Sequence, residues 1–257
     1  ADGFDLVADL GAIMPMRTIG YLLGIPEGEQ EQIRATTDNS IAVGETGGDV
    51  TAAIFAESLA QYVDYIEWRS THPSDDLMTE LLNAEIEELD GTRRRLERTE
   101  VLAYTAMIAG AGGETTARLI GFMGELLGRH PDQRAELAAD PALIPSAVEE
   151  TLRYEPPSPV QGRYVAADVQ LYGQVVAEGS YMLLLNGSAN RDESRYADPD
   201  RFDIHRQGGH LSFGQGIHFC LGAALARLEA RVAFEEILKR WTDWDVDYDH
   251  AARARTS

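Results

Sequence analysis

Cysteine and lysine are nearly absent from this chain. Cys220 is the only cysteine among 257 residues, and Lys239 is the only lysine among 22 basic residues. A single cysteine excludes an intramolecular disulfide and any zinc cluster built from several cysteines. We therefore expect a reducing, cytoplasmic setting. The preference for arginine over lysine is typical of a GC-rich bacterial genome.

Long apolar runs and positive charge are also lacking. No apolar run reaches the ~18 residues that a membrane-spanning helix needs, and the sequence opens without the pattern of a signal peptide. The 43 acidic residues outnumber the 22 basic ones, which leaves a net charge of −21. This charge argues against a nucleic-acid partner, because phosphate binding requires a basic surface. The hydrophobic fraction of 44% is that of a globular protein.

Helical periodicity dominates the first 155 residues. The sequence predicts a first helix that ends at Gly24 and Pro26. Further along the chain, a charged loop at 85–100 precedes a long helix with Thr99 as its N-cap. The predicted helices cover 27–40, 50–69, 99–129, 132–139 and 144–154.

The pattern changes to short antiparallel strands after Pro159, with turns at Tyr172-Gly173 and Glu178-Gly179. A last helix is predicted over 221–241. The fold class is mainly α with small β patches. We expect one domain over 1–257, with a helical part at 1–155, a β-containing segment at 160–210, and a cysteine loop with the last helix at 211–241.

Three glycines interrupt the long helix within "MIAGAGGETTARLIG". Each glycine costs about 1 kcal/mol relative to alanine in a helix. Close helix–helix packing, with threonine hydroxyls bonded to the preceding turn, is one explanation. The other is a distorted turn that opens a groove for a small ligand beside Glu114 and Thr115. Residues that disfavour the secondary structure in which they lie are concentrated at functional sites.

Cys220 lies in the glycine-rich stretch "FGQGIHFCLG", directly before the last helix. Backbone N–H groups at a helix start favour a thiolate. Three other roles stay open at this point: a small buried hydrophobic residue, a zinc ligand with His210 and His218, and a nucleophile with His218 as its base.

Four motifs together resemble the cytochrome P-450 family, of the soluble bacterial type. "FGQGIHFCLG" matches the cysteine-loop signature F-x-x-G-x-[HR]-x-C-x-G, and "AGGETT" matches the oxygen-activation motif [AG]-G-x-[DE]-T-[TS]. "EETLR" contains the E-x-x-R pair, and "YADPDRF" resembles the segment that carries a third member of its ion network. The resemblance implies the P-450 fold, with the long helix crossing the haem. It also implies that the N-terminal portion of the family fold is absent here.

The resemblance implies a role for each matching residue. Cys220 is expected to be the thiolate ligand of the iron of haem b, and thiolate ligation favours cleavage of the O–O bond. Glu114 and Thr115 are expected to relay protons during reduction of O₂. The remaining positions fall into three sets: haem contacts at Ala111, Arg163, Phe213, Gly214, His218 and Gly222; a structural ion network of Glu150, Arg153 and Arg201; and substrate contacts at Val160 and Gln161.

The implied activity is a monooxygenase that inserts one oxygen atom from O₂ into a small, mostly apolar substrate. Electrons are expected from NAD(P)H through a separate ferredoxin or flavin-type partner, which could dock near Arg227 and Arg231, and the protein is expected to be a monomer. A peroxide-using enzyme and a non-enzymatic haem-binding homologue are the alternatives. A zinc-stabilised interaction module is a more distant one.

Overall fold

The computed structural model describes residues 3–30, 59–88 and 90–251. Contacts between residues group the chain into two compact units, Ala1–Ala117 with Tyr248–Ser257, and Arg118–Asp247. Grouping by contact does not test independent folding, so the single domain over 1–257 stays a prediction.

Helices account for most of the described residues. A π-helical segment at Val7–Gly11 precedes the first α-helix, and short 3-10 turns lie at Pro141–Leu143 and Gly216–His218. The α-helices are α1 Ile13–Leu22, α2 Val63–Thr71, α3 Leu77–Asn83, α4 Arg98–Arg129, α5 Pro131–Ala139, α6 Ile144–Tyr154, α7 Asn186–Ala189 and α8 Ala223–Arg240. None of these helices is long and apolar enough to cross a lipid bilayer.

The described strands form three two-stranded antiparallel sheets. The strands are β1 Glu85–Glu87, β2 Arg93–Arg95, β3 Gln161–Tyr164, β4 Val169–Leu171, β5 Gln174–Val176 and β6 Tyr181–Leu184. β1 pairs with β2, β3 with β6, and β4 with β5. The tight turn between β4 and β5 has positive φ at both Tyr172 and Gly173, as a two-residue hairpin turn requires.

The long helix begins earlier than predicted. It runs without interruption from Arg98 to Arg129, so Thr99 is not its N-cap. The carboxylate of Glu100 instead accepts a hydrogen bond from the backbone N–H of Glu97, at 2.7 Å. This is the reciprocal half of a capping box, with Glu97 as the N-cap two residues before the predicted one.

The charged segment before that helix is a hairpin, and the prediction of a loop there was wrong. Opposite charges face each other in the register, with Glu87 opposite Arg93 and Glu85 opposite Arg95. Such cross-strand pairs stabilise an antiparallel ribbon, and Gly91 takes the positive φ that the turn needs. The sequence does not reveal this hairpin, because no apolar alternation accompanies the charges.

Other predicted boundaries fall close to those observed. Helix α6 matches its prediction at both ends, and α8 lies inside the predicted 221–241. The helix predicted from residue 27 does begin there, but residues 31–40 lie outside the described part, as do residues 50–58 of the next predicted helix.

The core of the first unit lies between α1, α2, α3 and the N-terminal half of α4. Its buried members include Ile19 of α1, Leu23 directly after α1, Ile66 of α2 and Met78 of α3. In the second unit α6 and α8 pack together, with Val148 and Phe234 fully buried. Burying a side chain of this size stabilises the fold by about 1.5–3 kcal/mol, so these elements are rigid supports for the loops that they carry.

Gly24 ends α1 with a φ of +71°. A Cβ at this position would collide with the carboxylate of Asp76 and the guanidinium of Arg69. Those two side chains form a buried ion pair of 3.0 Å, and Arg69 also donates to the Gly24 carbonyl at 2.7 Å. Only glycine satisfies both the backbone angle and the space here.

We expect Gly24→Ala to destabilise the protein by at least about 1–2 kcal/mol, the cost of left-handed backbone at a residue with a Cβ. Thermal unfolding should show a lowered Tm, by about 2–4 °C for each kcal/mol. Gly28→Ala is the matched control, because nothing lies within 4 Å of a Cβ there. Equal Tm values for the two variants would contradict this explanation.

Candidate functional site

The cysteine loop is closed by a backbone hydrogen bond between its two motif ends. The N–H of Cys220 donates to the carbonyl of Phe213 at 2.8 Å, and the carbonyl of Cys220 accepts from Ala223, the first residue of α8, at 3.3 Å. Gly214 and Gly216 have φ of +69° and +72°, which explains why glycine occupies both positions. The loop therefore presents Cys220 at the start of α8, as predicted.

The Cys220 side chain is exposed, so a buried hydrophobic role is wrong. Its neighbours along the chain are large, apolar and also exposed: Ile217 by 98%, Leu221 by 85% and Phe219 by 53%. His218 is exposed as well. A protein surface rarely displays such a run of apolar side chains unless a partner or ligand covers it.

Charged groups support Phe213 on the protein side of the cysteine loop. The guanidinium of Arg227 lies over its ring, with 4.5 Å from Cζ to the centroid. Arg227 donates two hydrogen bonds to Glu149, with Nε to Oε1 at 2.6 Å and Nη2 to Oε2 at 2.9 Å. From the sequence, Arg227 is predicted only as a docking cation, and Glu149 is not predicted as a site residue.

The pKa of Glu149 is displaced far from its usual value. Burial is the largest influence and acts to raise this pKa, but His210 and Arg227 outweigh it together and lower the pKa to about 2. The His210 Nε2 atom lies 3.3 Å from Glu149 Oε2. Glu149 is therefore a carboxylate at any physiological pH, and it balances the charge of Arg227.

The glycines of α4 serve helix packing at two positions. A Cβ on Gly112 would collide with Ile19 of α1, and one on Gly113 would collide with Met16 of the same helix. The α4 backbone is α-helical throughout this stretch, so the packing explanation holds for these two residues and the predicted distorted turn is not seen.

The polar residues of "AGGETT" lie on the same turn of α4. The hydroxyl of Thr115 donates to the carbonyl of Ala111 at 2.8 Å, which is the bond to the preceding turn that the packing explanation anticipated. Glu114 is half-buried, and Ala111 is exposed. The hydroxyl oxygen of Thr115 retains its capacity to accept a hydrogen bond.

The predicted residues near β3 lie on one short, largely exposed segment. Val160 precedes the strand, and Gln161 opens it and pairs with Leu184 of β6. The Gln161 amide donates to the Ser158 hydroxyl at 2.6 Å. Arg163 is exposed, and its guanidinium donates to the carbonyl of the adjacent Gly162 at 2.8 Å.

The structure brings Glu150 and Arg153 together in a buried pair. The Arg153 Nε and Nη2 atoms donate to the two Glu150 oxygens at 2.7 and 2.8 Å, and both side chains are nearly inaccessible. Arg153 also donates to three carbonyls, those of Asn190, Pro199 and Arg201. This pattern leaves little of the guanidinium unsatisfied in the protein interior.

The third member of this network is Arg206, and the prediction of Arg201 was wrong. The Arg201 side chain is 70% exposed, whereas that of Arg206 is 14% exposed with its Nε 3.2 Å from Glu150 Oε1. Arg201 contributes its backbone carbonyl, which accepts from Arg153 and Arg206. The "RFDIHR" segment turns back after Arg201, so the later arginine is the one that points inward.

The zinc hypothesis finds no support in the described residues. Nowhere among them do three histidine, cysteine, aspartate or glutamate side chains gather closely enough to hold a metal ion. His210 instead accepts the N–H of Ser212 at its Nδ1 atom, at 3.1 Å.

The comparisons identify the family. The family model of cytochrome P450 matches residues 49–249, and this chain belongs to that family. Cytochrome P450 107B1 of Saccharopolyspora erythraea is 40% identical over 93% of this chain and 58% of its own length. The 6-deoxyerythronolide B hydroxylase of the same organism is 36% identical over 92% of this chain and 58% of its own.

Solved structures agree with the family assignment. A mutant of P450 EryK in complex with erythromycin B superposes with a TM-score of 0.87, at 35% identity, over 97% of this chain and 65% of that one. The mainly helical P450 fold predicted from the motifs is thereby confirmed. The chain spans 58% to 64% of the length of the curated relatives compared.

Replacing Arg206 or Arg201 by alanine tests which of the two belongs to the buried network. We expect Arg206→Ala to lower the free energy of unfolding by about 1.5–3 kcal/mol, the value of hydrogen bonds to a charged group. Arg201→Ala should change it by no more than ~0.5 kcal/mol, as an exposed side chain does. Urea titrations with unchanged m-values would measure both; a larger loss for Arg201→Ala would refute the assignment.

Proposed function

We propose that this protein is a haem-thiolate monooxygenase. It inserts one oxygen atom from O₂ into a small, mostly apolar organic substrate. The observation that carries the proposal is the exposed Cys220 thiol on a glycine loop, flanked by exposed apolar side chains, in a chain of the cytochrome P450 family. Relatives named as a hydroxylase and an epoxidase support an oxygen-inserting reaction.

The residues of the cysteine loop fit a haem. Cys220 offers one accessible thiol, which suits an iron bound by a single protein ligand. Gly214 has no heavy atom nearer than 3.4 Å to the place of a Cβ, and the nearest to Gly222 is the Cys220 sulfur at 4.0 Å. A flat macrocycle can therefore approach the backbone. When bound, haem b with a thiolate ligand supplies the binding of O₂ and the cleavage of its O–O bond.

Other residues complete the proposed haem contacts. Ile217, Phe219 and Leu221 would lose their exposure to water on binding, which stabilises the complex by about 25 cal/mol for each Å² of apolar surface covered. Arg163 and His218 are exposed donors suited to the haem propionates. Phe213 lies at the far end of the loop, and Ala111 is a small exposed residue on α4.

Glu114 and Thr115 hold and move the protons that reduction of O₂ consumes. The Thr115 hydroxyl donates a hydrogen bond to the Ala111 carbonyl, and its oxygen can still accept one. It can therefore receive a hydrogen bond from a proton donor and pass its own proton onward by rotating away from that carbonyl. Glu114 is the nearest carboxyl group along the chain and can resupply the proton.

The substrate and partners follow from the same reasoning. Val160 and Gln161 are the proposed substrate contacts, and one apolar and one amide side chain suit a mostly apolar molecule. Electrons come from NAD(P)H through a separate ferredoxin or flavin-type protein. The protein acts as a monomer in the cytoplasm.

The first prediction concerns the iron ligand. The protein is purified with any residues that its natural chain carries beyond these 257, reduced with dithionite and exposed to carbon monoxide. We expect a strongly red-shifted Soret band, because a thiolate ligand donates electron density to the iron. The band should vanish in Cys220→Ala.

His218→Gln is the control for the spectrum, since it alters the same loop but leaves the thiol. It should bind haem more weakly and keep the red-shifted band at saturating haem. A wild-type protein that takes up no haem, or a band that persists in Cys220→Ala, would refute the proposal.

The second prediction concerns proton delivery. In Thr115→Ala we expect the product formed per NAD(P)H oxidised to fall by about tenfold or more, because general acid catalysis contributes factors of 10²–10⁴. Oxygen uptake and product would be measured together. Thr105→Ala is the matched control, since Thr105 makes the same 2.8 Å bond to the preceding turn of α4. Unchanged coupling in Thr115→Ala would contradict the role of Thr115 in proton delivery.

A further inference from the structure

Three side chains surround Phe213 on the protein side of the cysteine loop: Glu149 of α6, His210 and Arg227 of α8. Arg227 stacks on the Phe213 ring at 4.5 Å, and the His210 ring centroid lies 5.6 Å from the same ring. Glu149 joins the two, because it accepts both Arg227 hydrogen bonds and lies 3.3 Å from His210 Nε2. We call these three residues the Phe213 clamp.

The orientation of His210 is determined by the backbone. Its Nδ1 atom accepts from the N–H of Ser212 at 3.1 Å, so in the neutral ring the proton sits on Nε2. The Nε2 atom lies 3.3 Å from Glu149 Oε2, without a hydrogen bond between the two. The His210 side chain is only 3% exposed, so water competes little for this contact.

Phe213 connects the clamp to the thiol. Its carbonyl accepts the hydrogen bond from the Cys220 N–H at 2.8 Å, and its ring lies 6.3 Å from that of Phe219. A displacement of Phe213 therefore displaces the partner of the Cys220 backbone. The opposite side of the loop is exposed, so the clamp supports Phe213 from the protein side.

We propose that the Phe213 clamp positions Cys220. Arg227 and Glu149 are positioning residues, since they act through Phe213 and do not themselves bind the iron. The value of this positioning for an iron ligand rests on the proposed function; the positioning of the Cys220 backbone does not.

Electrostatics agrees with the contact between Arg227 and Glu149. The pKa of Arg227 is raised chiefly by its hydrogen bonds to Glu149, against the effect of burial. A guanidinium with two carboxylate bonds and an aromatic face is held more rigidly than a lysine could be.

The same contacts separate Arg227 from the rest of its helix. Arg231, one turn further along α8, pairs only with Glu235 at 3.5 Å and is about half-exposed. Arg227 would have to break two hydrogen bonds and a ring contact to meet a partner protein. The Arg227 side chain is 38% exposed, so these contacts, and not burial, are what tie it to the loop.

Hydrogen exchange of the full chain tests the positioning role with or without haem. We expect the Cys220 amide to exchange about tenfold faster in Arg227→Gln than in the wild type, which corresponds to ~1.4 kcal/mol of lost local stability. Glu149→Gln should accelerate exchange similarly, and the double variant should add little, because the two residues act as one unit. Arg231→Gln is the matched control and should exchange like the wild type.

Arg227→Lys tests whether the paired bonds of the guanidinium support the loop or its charge alone. Lysine keeps the positive charge but cannot make two parallel bonds to Glu149 while stacked on Phe213, so its Cys220 amide should exchange faster than in the wild type. A wild-type exchange rate in Arg227→Lys would contradict the clamp geometry.

Hydrogen exchange and the carbon monoxide spectrum separate failure of the inference from failure of the proposed function. Wild-type exchange rates in both Arg227→Gln and Glu149→Gln would overturn the positioning role. Faster exchange in a full-length protein that never shows a red-shifted Soret band would uphold the clamp and reject the haem-thiolate function.

Discussion

The buried pair of Glu150 and Arg153 is the interaction on which the cysteine loop depends. Arg153 binds the Asn190 carbonyl, and the fully buried Asn190 side chain donates to the Ser212 hydroxyl at 2.8 Å and accepts from the Leu211 N–H at 2.8 Å. An ion pair on α6 thus reaches the first residues of the loop in two steps. Removing one partner of such a pair leaves a buried charge uncompensated, at a cost of about 3–5 kcal/mol, so the support is rigid.

The loop has two sides of opposite character. On the protein side, hydrogen bonds and the Phe213 clamp hold the backbone in place. On the other side, the Cys220 thiol and large apolar side chains such as Ile217 and Leu221 face outward. A loop that must present a reactive sulfur to a ligand cannot bury that sulfur, so its order has to come from behind. The polar network supplies that order without occupying the ligand side.

Helix α4 combines two tasks that a sequence presents as alternatives. Gly112 and Gly113 admit α1 at close range, and Thr115 bonds back to the preceding turn. Neither feature excludes proton transfer, since packing uses the Cα side of the glycines and catalysis would use the Thr115 hydroxyl and Glu114. Helix propensity shows that the glycines of α4 are unfavourable in a helix, but it does not show whether close packing or proton transfer compensates for their cost.

The sequence by itself determined the family, the single thiol and the motif that presents it, because these depend on residue types at fixed spacings along one loop or one helix. The ends of α6 were predictable for the same local reason. Only the tertiary structure decided that Arg206 and not Arg201 meets Glu150, that Glu149 and Arg227 enclose Phe213, and that the charged segment before α4 is a hairpin. These contacts join residues from separate elements, so their geometry depends on where the backbone turns rather than on local composition.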